Sequence, residues 1–186
     1  PKGTMASYNS YDGIPVQASP YFLTELLRNQ YGFKGYVVSD SGSVERIYQQ
    51  HKVAKNFGDA VVQAVNAGLN VRTNFREMEH YMRPLRRVIK AGRISEQTIN
   101  SRVADVLRVK FELGLFDAPV VDPENALKIV HHPDHEGTIL EAARKAMVLV
   151  KNDGVLPLDA AQLETILVTG PGANDPAPMI SRYGPS

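Results

Sequence analysis

The apolar positions of this chain change period several times, and each change marks an element. Thr4-Met5-Ala6-Ser7-Tyr8 reads as a short buried strand running into the turn Tyr11-Asp12-Gly13. Ser19-Pro20 supplies an N-cap and a proline at the first helical position, and Leu23, Leu26 and Leu27 follow at helical spacing until Gly32 and Gly35. Tyr36-Val37-Val38-Ser39 is β-branched, aromatic and short, which predicts a buried strand ending at Asp40. Residues 59–67 then read as a helix with Gly68 at its C-terminal cap, and Leu69-Asn70-Val71 as another short strand. Strands alternating with helices over short connections predict parallel strands joined by crossover helices.

Two helices without an intervening strand come next. The first, over 77–90, closes at Ala91-Gly92. Ser95 caps the second, whose apolar face is expected to be Val103, Val106, Leu107, Phe111 and Leu113, down to Gly114. Residues 118–133 are rich in proline, histidine and Asp or Asn, have no clear period and read as a linker. A fresh unit follows: a helix over 136–146, a strand over Met147-Val148-Leu149-Val150, a turn at Asn152-Asp153-Gly154, and a strand over Ile166-Leu167-Val168-Thr169. The expected organisation is the tail of one α/β domain over 1–117, a linker over 118–133, and the opening of a second α/β domain over 134–186. Neither end reads as a natural terminus. The chain enters strand pattern almost at once and closes on Arg182-Tyr183-Gly184-Pro185-Ser186, just after a new strand.

Composition changes this picture little. With 43% hydrophobic and 22% charged residues among 186, the sequence is ordinary for a globular protein and long enough to bury a core. A net charge of +1 is not the basic excess that marks nucleic-acid binding, and no apolar run approaches the roughly 20 residues that span a bilayer. Neither nucleic acid nor membrane is an expected partner. The lack of cysteine excludes disulfides and thiolate metal sites, and leaves the compartment open among secreted, periplasmic and cytoplasmic.

Asp40 is the carboxylate whose position suggests chemistry. It directly follows a buried strand, with Ser41-Gly42 letting the chain turn sharply. In parallel α/β barrels the active site forms at the C-terminal ends of the strands. The same place suits a helix N-cap for a segment starting near Ser43, and position alone leaves both readings open. The loop from Tyr8 to Gly13 is expected to open on the same face, where a tyrosine hydroxyl would hydrogen-bond the carboxylate and keep it ionised. Tyr8 as a plain half-buried aromatic is the alternative, and Asp12-Gly13 is better read as turn chemistry. His51 lies in a polar stretch, and His131, His132 and His135 in a proline-containing linker without other obvious ligands. They read as solvated residues, so no metal and no cofactor is expected. Gly170-Pro171-Gly172 lacks the third glycine of a dinucleotide fingerprint and loses an amide donor at its proline, so it reads as a strand-to-loop turn. Arg83, Arg86, Arg87 and Lys90 form a charged helix face.

A series of segments in order carries a resemblance. Met5-Ala6-Ser7-Tyr8-Asn9, Gly13-Ile14-Pro15, Leu26-Leu27-Arg28 and the run from Tyr31-Gly32-Phe33 through Val37-Val38-Ser39-Asp40 resemble the nucleophile region of family 3 glycoside hydrolases. Ala67-Gly68-Leu69-Asn70, Arg102-Val103, Leu107-Arg108-Val109-Lys110-Phe111 and Leu113-Gly114-Leu115-Phe116 resemble the end of that family's barrel domain. Ala142-Ala143-Arg144, Val148-Leu149-Val150-Lys151-Asn152-Asp153-Gly154 and Leu156-Pro157-Leu158 resemble the start of its second domain.

The resemblance implies the C-terminal part of a (β/α)8 TIM-like barrel followed by the beginning of an α/β sandwich domain. It implies a retaining exo-acting β-glycosidase working on a β-glucoside or related oligosaccharide, with Asp40 as nucleophile, Tyr8 beside it and Met5 lining the sugar pocket. The family's acid/base glutamate normally comes from the second domain, so it is expected beyond residue 186. Its Lys-His and Asp/Arg sugar-binding residues are expected before residue 1. The partner this stretch needs is the rest of its own polypeptide, and alone it is expected to be inactive. Ser41 departs from the pattern, because many members carry tryptophan directly after the nucleophile. Losing an indole removes a large apolar wall from the sugar site, which keeps β-xylosidase beside β-glucosidase. The N-acetylglucosaminidase relatives often take an acid/base histidine from a barrel loop, and the long second domain from Asp134 argues against their minimal form. Against a non-catalytic relative stands Asp40 itself. Sugar, linkage and oligomeric state stay open.

Overall fold

Residues 1–118, 120–130 and 132–175 are described by the computed structural model. The chain divides into two units, Pro1–Asp122 and Pro123–Ser186. In the first unit, strand β1 (Gly3–Ala6) leads to a hairpin of β2 (Ser10–Tyr11) and β3 (Ile14–Pro15), and then through a helix to β4 (Tyr36–Ser39). The hairpin turns on Asp12 and Gly13, whose φ angles of 49° and 80° are both left-handed, as a two-residue turn matching strand twist requires.

Parallel pairing sets the frame. β1 lies beside β4 with Met5 opposite Val38 and Ala6 opposite Ser39. Val71 bridges Val38 in parallel from the other side of β4. The strand expected over 69–71 is thus a single bridge. Asn70 N and Val71 N both converge on Val37 O, at 2.9 and 3.1 Å, while Val37 N is taken by Asn70 Oδ1 at 2.8 Å and Leu69 N by Ala64 O at 3.1 Å.

Helices pack against these strands. They are a π-type helix over Tyr21–Gln30, α1 (Ser43–Gln49), α2 (Phe57–Ala67), α3 (Glu79–Lys90) and α4 (Glu96–Glu112). The helix start read at Ser19-Pro20 holds, with Ser19 Oγ accepting from Phe22 N at 3.4 Å. α2 explains itself from sequence. Asn56 accepts from Asp59 N at 3.0 Å, Ala60, Val61, Ala64 and Val65 recur at helical spacing and are buried, and Gly68 stops the helix at φ 127°. A Cβ on Gly68 would meet Leu23 Cβ at 3.0 Å, so close approach as well as φ calls for glycine. Ser95 caps α4, accepting from Thr98 N at 3.0 Å.

The apolar face expected for α4 is not the buried one. Val103, Phe111 and Leu113 are 48%, 66% and 57% exposed, whereas Asp105 and Val109 are buried. A polar contact decides the orientation: Asp105 turns inward to the Arg28 guanidinium, Nη1 to Oδ2 at 3.1 Å.

In the second unit, α5 (Pro123–Ile129) crosses the stretch read as an unstructured linker. Pro123 at its first position and Glu124 in its first turn favour a helix start. α6 (Glu136–Ala146) lies where expected. Residues 147–150 and 166–169, read as strands, form no ladder among the described residues. β-propensity has no effect without a paired neighbour. The turn after residue 151 is closed by Asn152, whose Nδ2 donates to Leu156 O at 2.7 Å. Pro119, His131 and the expected closing segment 182–186 lie outside the described residues.

Candidate active site

Strand alternation positions Asp40. In β4, Val37 and Ser39 are buried, Val37 within the hydrophobic core, while Tyr36 and Val38 turn to the opposite face, beside Val106 and Val109 of α4 and Leu113 at its end. Continued one residue past the strand, this alternation puts Asp40 on the face of Val38, opposite Val37. Met5, opposite Val38 and 59% exposed, shares that face about one pleat, roughly 6–7 Å, below Asp40. Met5 and Asp40 are therefore brought to one surface at the C-terminal end of parallel strands.

Asp40 does not cap α1. The cap position belongs to Gly42 in a left-handed conformation at φ 71°, and no side chain accepts a hydrogen bond there. The Asp40 carboxylate instead accepts from the next amide, Ser41 N to Oδ1 at 2.6 Å. Tyr8 reaches the same turn, and its hydroxyl donates to the Ser41 carbonyl at 2.6 Å. Ser41 thus braces both site residues through its main chain. The Arg46 guanidinium lies 4.0 Å over the Tyr8 ring, and the His51 ring sits 3.0 Å from the Tyr8 carbonyl through Nε2. Both Arg46 and His51 come from α1 or its end, so the helix after Asp40 also grips the loop that carries Tyr8.

Behind the turn lies a buried charged cluster that sequence reasoning missed. Glu45, in the first turn of α1, ion-pairs with Arg72, and their side chains are only 7% and 6% exposed. Asn74 Nδ2 donates to the same Glu45 oxygen at 2.8 Å, and His80 Nε2 lies 3.6 Å from it. Arg72 is flanked by the rings of Phe57 and Tyr81, 5.9 and 5.3 Å from its guanidinium carbon. Burial pushes the Tyr81 phenol up to about 12, opposed by Arg72 and reinforced by Glu45, so it stays neutral. A glutamate beside Val44 and Ile47 carries no signal in one sequence that it faces inward.

Among the described residues no three His, Asp or Glu side chains gather as a metal site. The Gly170 turn closes on itself, Ala173 N donating to Gly170 O at 3.0 Å. On α3, Arg86 pairs with Glu79 at 2.9 Å on an exposed face. What the arrangement offers chemically is one carboxylate at a strand end, held by main-chain bonds.

Comparison with known proteins places these features. The glycosyl hydrolase family 3 N-terminal domain matches residues 2–109. Beta-D-xylosidase 3 of Arabidopsis thaliana is 33% identical over 186 residues, covering 96% of this chain and 23% of the relative. A β-glucosidase structure from Erythrobacter marinus superposes with a TM-score of 0.71 at 33% identity, over 85% of this chain and 21% of that one. The β-glucosidase of Listeria innocua, solved in complex with glucose, superposes with a TM-score of 0.69 at 28% identity, over 83% and 21%. This chain spans under a quarter of the length of each. With more than half of its residues matched and the parallel β/α frame in common, the chain belongs to glycosyl hydrolase family 3.

Proposed function

We propose that the polypeptide carrying this sequence is a retaining, exo-acting β-glycosidase, with Asp40 as the nucleophile. The observation that carries this is the place of Asp40: at the C-terminal end of β4, in a turn braced by Tyr8 and not used as a helix cap. A retaining glycosidase needs one ionised carboxylate to attack the anomeric carbon and a second carboxyl, about 5–5.5 Å away, to protonate the leaving oxygen. Asp40 supplies the attack and forms a covalent glycosyl-aspartate. The second group, which must hold a proton near neutral pH, comes from beyond residue 186. Tyr8 and Ser41 support the turn and Met5 lines the sugar side.

In this reading residues 1–117 are the C-terminal part of a TIM-like barrel, 118–133 connect, and 134–186 begin an α/β sandwich domain. Such a stretch holds the attacking half of a site and too little to bind a sugar. The isolated 186-residue chain is expected to show no turnover of any aryl β-glycoside; measurable hydrolysis would overturn that expectation.

The relatives' printed names divide between β-xylosidase and β-glucosidase, and Ser41 in the place after the nucleophile suits either a pentoside or a glucoside. The test treats the full-length polypeptide in parallel with 2-deoxy-2-fluoro-glucoside and -xyloside reagents bearing good leaving groups. Each forms the glycosyl-enzyme and slows its hydrolysis, so peptide mass mapping locates the sugar. The expected label lies on the peptide holding Asp40 and is lost in Asp40→Asn. A label on any other residue would move the nucleophile and sink the assignment.

A further inference from the structure

We propose that Glu45, Arg72 and Asn74 are positioning residues that hold the Asp40 turn in its reactive place, a proposal that rests on Asp40 being the nucleophile. Two sets of contacts meet to make a closed circuit. The first joins the turn to the segment after Val71. Ser39 N donates to Val71 O at 2.8 Å, Thr73 N donates to Ser39 Oγ at 2.9 Å, and Gly42 N donates to Thr73 O at 3.0 Å. Ser39 Oγ in turn donates to Asp40 O at 2.9 Å. Asp40 is thus flanked on both sides by bonds to residues 71–73.

The second set joins that segment to α1. Arg72 and Asn74, one on each side of Thr73, both donate to Glu45 Oε1. Glu45 lies in the first turn of the helix that starts directly after Asp40-Ser41-Gly42. The circuit therefore runs from the Asp40 turn to Thr73, through Arg72 and Asn74 to Glu45, and back along α1 to the turn. Neither half alone would fix it: main-chain bonds let the two loops slide together, and the ion pair ties them to the helix.

The chemistry argues for a role beyond filling space. A buried ion pair recovers its desolvation cost only with good geometry and full hydrogen bonding, and apolar residues of similar volume are often equally stable in its place. Here Glu45 Oε2 and Arg72 Nε are buried without a hydrogen-bond partner, so the pair does not meet that condition. An apolar pair would serve the fold and would lose the directional tie from the strand-end segment to the nucleophile's helix.

The experiment uses the full-length polypeptide and the fluoro-glycoside that labels it. Thermal melting is measured beside the rate and the concentration dependence of Asp40 labelling. Glu45→Leu/Arg72→Met is expected to melt near the parent temperature yet label Asp40 roughly 100-fold more slowly at saturation, because misplacement by about 1 Å costs on that order. Half-saturation should move less than about threefold, since remote sugar contacts are untouched. A pair that serves folding alone would give a stable double variant labelling at the parent rate, and that overturns the proposal. Should the double variant fail to fold, Asn74→Ala leaves the ion pair in place. It is expected to slow labelling by roughly tenfold in a protein that still folds, and an unchanged rate would overturn the proposal equally. Labelling at a residue other than Asp40, or none with either sugar, would remove the nucleophile assignment and this circuit together. Labelling of Asp40 at parental rates in the variants removes the circuit alone.

Discussion

In the full-length polypeptide, Asp40→Asn is expected to lower kcat on an aryl β-glycoside by on the order of 10⁴-fold or more, with the fold retained. The amide is nearly isosteric with the carboxylate but has no charge to place on the anomeric carbon. The bonds that hold the turn are made by other atoms: Tyr8 to Ser41 O, Gly42 N to Thr73 O, and Thr73 N to Ser39 Oγ. Asp40 itself accepts from Ser41 N through Oδ1, an atom that Asn replaces with an equivalent carbonyl oxygen. Stability should therefore change by no more than about 0.5 kcal/mol, the usual scale for substitutions away from a packed feature. A companion variant, Asp40→Gly, opens room for azide at the vacated position. Attack there inverts the anomeric centre once, so the expected product is an α-glycosyl azide, with activity rising as azide is added. A β-glycosyl azide would mean that the removed carboxyl had been the acid/base. Activity of Asp40→Asn within about tenfold of the parent would end the assignment altogether.

The strands and helices of the first unit were legible because their signals are local. A run of β-branched residues, a Ser or Asn cap and a left-handed glycine act within a few residues of themselves, as α2 shows from Asn56 to Gly68. The place of Asp40 was legible for the same reason, since two-residue alternation and a strand end can be counted along the chain. What stayed hidden depends on partners distant in sequence. Residues 69–71 became a bridge because the Asn70 side chain, in place of a backbone carbonyl, takes the Val37 amide, while Asn70 N and Val71 N both converge on the Val37 carbonyl. The face α4 buries was set by Asp105 meeting Arg28, against an apolar count that favoured Val103 and Phe111. Glu45 was invisible because a buried charge is explained only by its counter-charge, 27 residues away at Arg72. The order of family-like segments identified the chain without explaining them. Arg28, Asn70, Arg102 and Arg108 lay in those segments, and they gather around Asp105 instead of around Asp40.

That gathering makes Arg28 the side chain whose loss should cost most stability. Its Nη1 donates to Gly35 O at 3.1 Å, at the start of β4, and pairs with Asp105 Oδ2 at 3.1 Å. Its Nη2 donates to Asn70 Oδ1 at 2.8 Å and reaches Gly68 O at 3.4 Å. Asn70 uses the rest of its capacity in the same hub, Nδ2 donating to Arg102 O at 2.9 Å and to Asp105 Oδ2 at 3.0 Å. One guanidinium thus links the π-type helix, β4, the end of α2 and α4. Arg28→Met keeps most of the volume and removes every one of these donors. It leaves Asp105, 11% exposed at its side chain, without its most buried counter-charge, and the expected loss is about 3–5 kcal/mol. The measurement is the urea midpoint for unfolding of the domain that holds these residues, in the full-length polypeptide. Arg28→Met/Asp105→Leu should recover part of the loss, because no uncompensated carboxylate remains buried. If instead the two substitutions add, the pair is uncoupled, and the stability of this corner comes from the Gly35 and Gly68 carbonyl contacts that Arg28 alone provides.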